Sequence, residues 1–341
     1  MHIILFVIAA GFSLTACVRD SFVEQRIFAM GTWVDLVYRS VDPSADAAIA
    51  VSIEAALREF EVDYYAWADG ELALLNEALA NGRAYTPAPD MLALLRRSQR
   101  MSELSDGVFD PGVGALVEAW GFHSSLATAA ELMPDSIQAW LRDRPSIAGL
   151  RIDGANVSSL NPQLLIDLGG IAKGEAVDRI VALLGEAGIS DALVNAGGDV
   201  RAVGRRDERP WRVGIQAPRS AGLLGSIALQ SGEAVFTSGD YERYFEADGT
   251  RRHHLLDPTT GYPATHTQAV TVIAKNGASA DAAATALFIA GPTNWRRIAE
   301  QLEISAVLRV DASGEVEMTP QMRARVDLQE DAETATIAGQ S

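Results

Sequence analysis

Three short segments combine residue types that could handle a phosphate-bearing ligand. The first, Asp167-Leu168-Gly169-Gly170-Ile171-Ala172-Lys173-Gly174, lies between an apolar run, Leu164-Leu165-Ile166, and an amphipathic stretch. Glycines there let backbone approach a ligand closely, and the helix start that follows offers free N–H groups suited to phosphate oxygens. It is not a Walker loop, because Glu175-Ala176 stands where Lys-Ser/Thr is required, although the spacing from Gly169 to Gly174 fits. A tight strand-to-helix turn also calls for glycine, so spacing alone leaves both readings open. In the second segment, Ala280 to Thr285, Asp281 and Thr285 stand four apart on a helical pattern, so a carboxylate and a hydroxyl can meet one hard cation. Asp281 could equally be a first-turn charge favoured by the helix dipole, with Thr285 packing its methyl group. The third, His253-His254-Leu255-Leu256-Asp257-Pro258-Thr259-Thr260-Gly261-Tyr262-Pro263, could present a ring nitrogen for acid–base work or phosphate contact, or use either histidine to steady the turn.

The elements that must position these groups follow from periodicity. Apolar alternation from Ile27 to Tyr38 predicts a strand interrupted at Met30-Gly31-Thr32. Helices are expected over Ala47–Phe60, Leu72–Leu79 and Met91–Leu104, the last two separated by the turn-rich stretch Asn81 to Asp90. Short strands near Gly149–Ile152 and Asn156–Leu160 lead to a buried strand at Leu164–Ile166. A helix with the stripe Val177, Ile180, Val181 and Leu184 then stops at Gly188. Strands are expected at Ala192–Val194, Trp211–Ile215, Ser226–Leu229, Val270–Ala274 and Ala306–Val310, with a small-residue helix over Ala280–Ala290. Strands and helices without strict alternation, no internal repeat and no strong linker between residues 25 and 325 predict one compact α+β domain.

Composition bounds the partners. With 28 basic and 45 acidic residues the chain carries a formal charge of −17, which opposes nucleic acid and anionic membrane surfaces and requires a local cation for any polyanionic ligand. The opening MHIILFVIAAGFSLTAC has an apolar run too short for a spanning helix and reads as a secretory signal. Leu14-Thr15-Ala16-Cys17 resembles the bacterial lipobox, and Cys17 is the sole cysteine, so no internal disulfide can form. The expected organisation is a signal over 1–17, a tether over 18–24, a folded domain over 25–325 and a loose acidic tail over 326–341, with the protein held outside the cytoplasm by lipid on Cys17. A buried N-terminal strand with an incidental thiol is the alternative.

Taken together, Met30-Gly31-Thr32, Gly107-Val108-Phe109-Asp110-Pro111 running to Leu116 and Trp120-Gly121-Phe122, the Asp167–Gly174 turn, Asn195-Ala196-Gly197-Gly198-Asp199, Thr237-Ser238-Gly239-Asp240-Tyr241, the His253–Pro263 loop and Ala280–Thr285 resemble, in that order, the ApbE family of FAD:protein FMN transferases. The resemblance implies a T-fold-like domain of largely antiparallel sheets and packed helices. It implies Mg²⁺ held by Asp281, Thr285 and the main-chain carbonyl of Gly170, and an FAD site lined by Met30, Trp67, Val108, Phe109, Asp110, Asp167, Lys173 and Leu255. His254 and Asp281 are the candidate catalytic residues. Tyr65 and Trp67 both lie where a stacking tyrosine is expected. One departure is that Gly70-Glu71-Leu72 stands where the family pattern has Ser before Glu-Leu, although Asn76 follows at the usual distance. The implied reaction moves FMN from FAD to a threonine of a membrane redox protein and releases AMP. An FAD pyrophosphatase, a non-enzymatic flavin-binding lipoprotein and a cytoplasmic structural protein are the rivals.

Overall fold

The computed structural model describes residues 22–124, 133–329 and 336–337. Cys17, and with it the expected signal and anchor, lies outside the described residues. The chain is built around one nine-stranded sheet that holds helices against one face. Its first hairpin pairs β1 (Phe22–Ala29) with β2 (Thr32–Arg39) through a turn at Met30 and Gly31. The predicted single interrupted strand is thus two strands, and the turn is tight because both Met30 (φ 54°) and Gly31 (φ 70°) adopt the left-handed conformation. A non-glycine residue there costs roughly 1–2 kcal/mol, so the strain at Met30 must be offset by its packing against the main core.

Three helices, α1 (Asp46–Asp63), α2 (Glu71–Ala80) and α3 (Pro89–Leu104), follow where periodicity predicts them. Two shorter ones, α4 (Gly114–Ala119) and α5 (Pro134–Asp143), were not predicted and form a small core of their own with Trp120, Phe122 and Leu256. The hairpin β3 (Leu150–Asp153) and β4 (Asn156–Ser159) leads into the segment before α6 (Ala172–Glu186). Gly188 (φ 80°) ends that helix as expected, with its N–H donating to Gly185 and that of Ile189 to Leu184.

The segment Leu164–Ile166 departs from prediction. It is largely buried but joins no sheet: Leu165 makes only an isolated bridge with Val113, its carbonyl accepting from the Gly114 N–H at 3.0 Å, and the backbone of Ile166 is matched by a side chain. The Asn76 amide donates to the Ile166 carbonyl and accepts from the Ile166 N–H, both at 2.9 Å. An apolar run reports burial, not the identity of the hydrogen-bonding partner. Replacing Asn76 with alanine removes both bonds and is expected to cost about 2 kcal/mol, read as a lower denaturation midpoint in urea with the m-value unchanged.

The second half completes the sheet. β5 (Ala192–Ala196), β6 (Asp199–Val203), β9 (Ala234–Gly239), β14 (Thr267–Ala274), β15 (Ala306–Asp311), β16 (Val316–Met318) and β18 (Thr336–Ile337) extend β1–β2 in that order. A separate three-stranded sheet, β17–β8–β7, uses β7 (Trp211–Gln216), β8 (Leu223–Leu229) and β17 (Val326–Leu328). Between β9 and β14 lie the small hairpins β10 (Tyr244–Ala247) with β11 (Thr250–His253) and β12 (Leu256–Asp257) with β13 (Tyr262–Pro263). The helix α7 (Gly277–Gln301) runs past the predicted Ala290, bends at Gly291 (φ 66°), and packs with α6 on the sheet, followed late in the chain by the single turn α8 (Pro320–Arg323).

Two boundaries shift. The tether is folded from Phe22 onward, because Phe22 pairs with Arg39 and sets its ring edge-on to Trp211 at 5.7 Å. The tail begins later than residue 326, because Val326 is buried and Val326–Leu328 pairs with β8. Both corrections have one cause: short segments gain strand structure from a partner far away in sequence. The α+β reading holds, and among the described strands every pairing is antiparallel except β16 with β18.

Candidate active site

The site forms where the starts of α6 and α7 cross. A Cβ on Gly174 would sit 2.2 Å from the Gly277 carbonyl oxygen, so only glycine permits the approach. Asp178 caps α7 by accepting from the N–H groups of Gly277 (2.7 Å) and Ala278 (3.1 Å), and Arg201 donates to it at 2.6 Å. This fixes Asp281, one turn into α7, against α6, where its Oδ2 accepts from the Gly174 N–H at 2.9 Å. That N–H belongs to the first turn of α6 and has no intrahelical acceptor, so the two helices satisfy each other.

Asp281 and Thr285 do share a face. Thr285 Oγ1 lies 3.3 Å from Ser238 Oγ on β9. A Cβ on Gly170 would lie 3.4 Å from that same Oγ1 and 3.3 Å from the Phe109 ring, so a bare backbone turn faces the helix across a narrow gap. A carboxylate, a hydroxyl and an adjacent main-chain turn make a hard, all-oxygen donor set that fits Mg²⁺, which typically takes one or two carboxylates and completes its shell with water and substrate phosphates. Among the described residues no group of three His, Cys, Asp or Glu could hold a metal without such help.

Lys173 places an ammonium inside this acidic cluster. Its ammonium pairs with Asp199, the first residue of β6, whose other oxygen accepts from the Thr237 N–H at 2.9 Å. Burial pulls the Lys173 ammonium down, but Asp199, Glu242 and Asp281 together hold it above its ordinary value. Burial pushes the carboxyls of Asp281 and Glu242 up to about 7, against the pull of Lys173. The cluster therefore carries surplus negative charge that a cation would relieve.

On the far side of the Gly170 turn, Asp167 accepts from the Gly169 N–H (2.8 Å) and from Trp67 Nε1 (3.2 Å). The Trp67 ring also rests on His123, with centroids 5.3 Å apart, while the Tyr65 hydroxyl donates to the His123 carbonyl. Both aromatics thus belong to one wall, with Trp67 tied directly to the turn. Phe109 and Leu255 are buried, and Val108 packs against the main core beside Phe109. The Asp110 carboxylate is engaged by the N–H groups of Gly112 (2.7 Å) and Ile147 (2.8 Å), so its side chain organises the loop that carries Phe109.

The two loop histidines differ. His253 is buried, with its Nε2–H donating to the Ala264 carbonyl at 2.7 Å and its Nδ1 accepting from Leu255 N–H at 3.3 Å, which is the turn-stabilising role. His254 Nδ1 lies 3.3 Å from the Arg243 carbonyl, and because a carbonyl only accepts, Nδ1 carries the proton and Nε2 is the acceptor. Burial, with the Arg243 charge behind it, pulls the His254 imidazole down to about 3, so it is neutral near pH 7.

Sequence reading missed Asp199, Ser238, Glu242 and Arg243 as participants. Two lay in quoted motifs, but their meeting with Lys173 and Thr285 depends on strand order, which no local pattern reports.

Residues 30–308 match the ApbE family model. A Rhodobacter capsulatus protein named FAD:protein FMN transferase is 42% identical over 315 residues, covering 92% of this chain; the chain spans 60% of that relative's length. A Vibrio cholerae protein of the same name is 33% identical, covering 82% of this chain and 85% of its own. Among solved structures, the ApbE protein of Thermotoga maritima superposes with a TM-score of 0.81 at 33% identity, covering 89% of this chain and 99% of its own. The flavin transferase ApbE of Vibrio cholerae gives a TM-score of 0.77 at 27% identity, covering 93% and 99%.

Proposed function

The chain belongs to the ApbE family, and on that premise we propose that it is an FAD:protein FMN transferase: with Mg²⁺ bound, it moves the FMN moiety of FAD to a threonine hydroxyl of an acceptor protein and releases AMP. The observation that carries this reading is the facing of Asp281 and Thr285 against the Gly170 turn, beside the Lys173 ammonium. Bound Mg²⁺ supplies charge neutralisation on the pyrophosphate.

The chain's own residues then do the positioning. Asp281, Thr285 and the Gly170 carbonyl would hold the metal, and Lys173 would meet phosphate oxygens that the surrounding carboxylates otherwise repel. Met30, Trp67, Phe109 and Leu255 form apolar and aromatic walls for FAD, and Asp167 fixes the turn and the Trp67 indole at once. His254, neutral with Nε2 as acceptor, orients the attacking hydroxyl by receiving its hydrogen bond. The hydroxyl oxygen bonds to the FMN phosphorus as its proton passes by way of His254 Nε2 to solvent, the phosphoanhydride bond breaks, and AMP departs with the electron pair. Alignment of nucleophile and phosphorus can supply up to about 7–11 kcal/mol of the barrier.

Attachment through a lipidated Cys17 on the outer face of a bacterial membrane would keep the enzyme beside membrane redox subunits as acceptors. No described helix is long and apolar enough to cross a membrane. Incubation with FAD, Mg²⁺ and a threonine-bearing acceptor domain is expected to add one FMN mass to the acceptor and release one AMP. Free FMN and AMP beside an unmodified acceptor would instead mark a hydrolase.

A further inference from the structure

A cavity of about 570 Å³ is lined in part by Asp199. Its walls include the β5–β6 turn at Gly197 and Gly198, Gly214 and Gln216 of β7, the exposed Leu223, and Glu242. We infer that this groove receives the threonine-bearing segment of the acceptor as an extended chain with no acidic residue beside the threonine. The inference rests on the transferase reading and adds the acceptor's site to it.

Four observations support a peptide there and not more of the nucleotide. The cavity is continuous with the phosphate-handling cluster through Asp199, whose Oδ2 holds Lys173 while the residue lines the groove. Its lining contains no lysine, arginine or histidine, and its charged groups are carboxylates, so a polyanion is repelled whereas a neutral or basic chain is not. β7 is an edge strand, paired with β8 on one side only among the described residues, which offers a backbone ladder to an incoming strand. Gly198 and Gly222, where no atom lies within 4 Å of an added Cβ, leave the backbone bare for close approach. Beside Gly197, whose N–H donates to the Trp33 carbonyl at 3.0 Å, the neighbouring hairpin carries an exposed aromatic pair, Trp33 and Phe28, with ring centroids 5.2 Å apart. Together these features commit the groove to an extended polypeptide with no acidic residue beside its threonine.

The test compares synthetic peptides with one central threonine, flanked either by uncharged residues or by aspartates, above neutral pH with FAD and Mg²⁺ present. The uncharged peptide is expected to slow hydrogen exchange at the amides of Trp211–Gln216, and the aspartate-flanked one to do so only at about tenfold higher concentration or worse. Leu223→Arg, at an exposed position on the mouth, should shift that preference toward the aspartate-flanked peptide while leaving the dissociation constant for FAD unchanged. Unaltered exchange in β7 together with an unaltered flank preference in Leu223→Arg overturns the groove. So does protection of β7 without peptide that vanishes on dilution, which would give the edge to a second copy, or that vanishes on removal of residues 1–21, which would give it to the chain's own start. FAD cleavage with no peptide labelled would sink the transferase reading, and β7 protection by the uncharged peptide would still report the groove.

Discussion

Gly174→Ala is expected to destabilise the protein by about 3 kcal/mol and to remove FAD cleavage with it, whereas Gly185→Ala in the same helix should be neutral or stabilising. The added methyl at position 174 would lie 2.2 Å from the Gly277 oxygen and 2.4 Å from its carbonyl carbon, both main-chain atoms of another helix. No side chain can rotate out of the way, so α6 and α7 must separate, at the upper end of the 1–3 kcal/mol that overpacking typically costs. Separation also breaks the bond from Gly174 N–H to Asp281 and moves the carboxylate away from the start of α6. At Gly185 no atom lies within 4 Å of the added methyl, so only helix propensity changes, by about 0.5–1 kcal/mol in favour of alanine. Thermal unfolding should show a fall in Tm of roughly 6 °C or more for the first and no fall for the second. Equal Tm values would mean that the helix crossing is looser than its geometry.

The contrast between these two glycines measures what could be read from the chain. Both stand in an amphipathic pattern, and the pattern gave the helix correctly, with Val177, Ile180 and Leu184 buried as expected. Nothing local distinguishes a glycine under a neighbouring backbone from one facing solvent, because the neighbour arrives from about a hundred residues away. The same limit explains Leu164–Ile166, where burial was legible but the Asn76 partner was not. It explains β6 and β9, short strands whose existence depends on neighbours in the sheet order.

At the site, the residue types and the four-residue spacing of Asp281 and Thr285 were legible because helical geometry alone puts them on one face. The Asp167 turn was legible because glycine density marks backbone exposure. Their juxtaposition was not, and neither was the Lys173–Asp199 pair, since a lysine in a glycine-rich turn carries no trace of which carboxylate it will meet. His253 and His254 are adjacent in sequence, yet one is spent on the Ala264 carbonyl and the other keeps Nε2 as an acceptor. Only the hairpin ending at His253 makes that division.

Asp281→Asn should separate the metal role of this residue from its structural one. The amide keeps the side-chain shape and an oxygen to accept from Gly174 N–H, but it loses the charge that binds a hard cation. Metal-dependent FAD cleavage is therefore expected to fall by about 10²–10³-fold, the equivalent of several kcal/mol of lost charge stabilisation. Stability should move the other way. Burial raises the Asp281 carboxyl from 3.8 to about 7, so without metal the folded state holds a proton that the unfolded chain releases. Its contribution is complete below about pH 4 and is lost as the pH rises through about 7. The metal-free asparagine variant, which has no proton to lose there, should match the wild type in acid and exceed it above neutrality. In the wild type, Mg²⁺ must displace that proton, so its apparent affinity should climb with pH up to about 7 and then level off, a climb that isothermal titration at several pH values would read. A flat affinity profile, or an asparagine variant that retains metal-dependent cleavage, would remove Asp281 from the metal site.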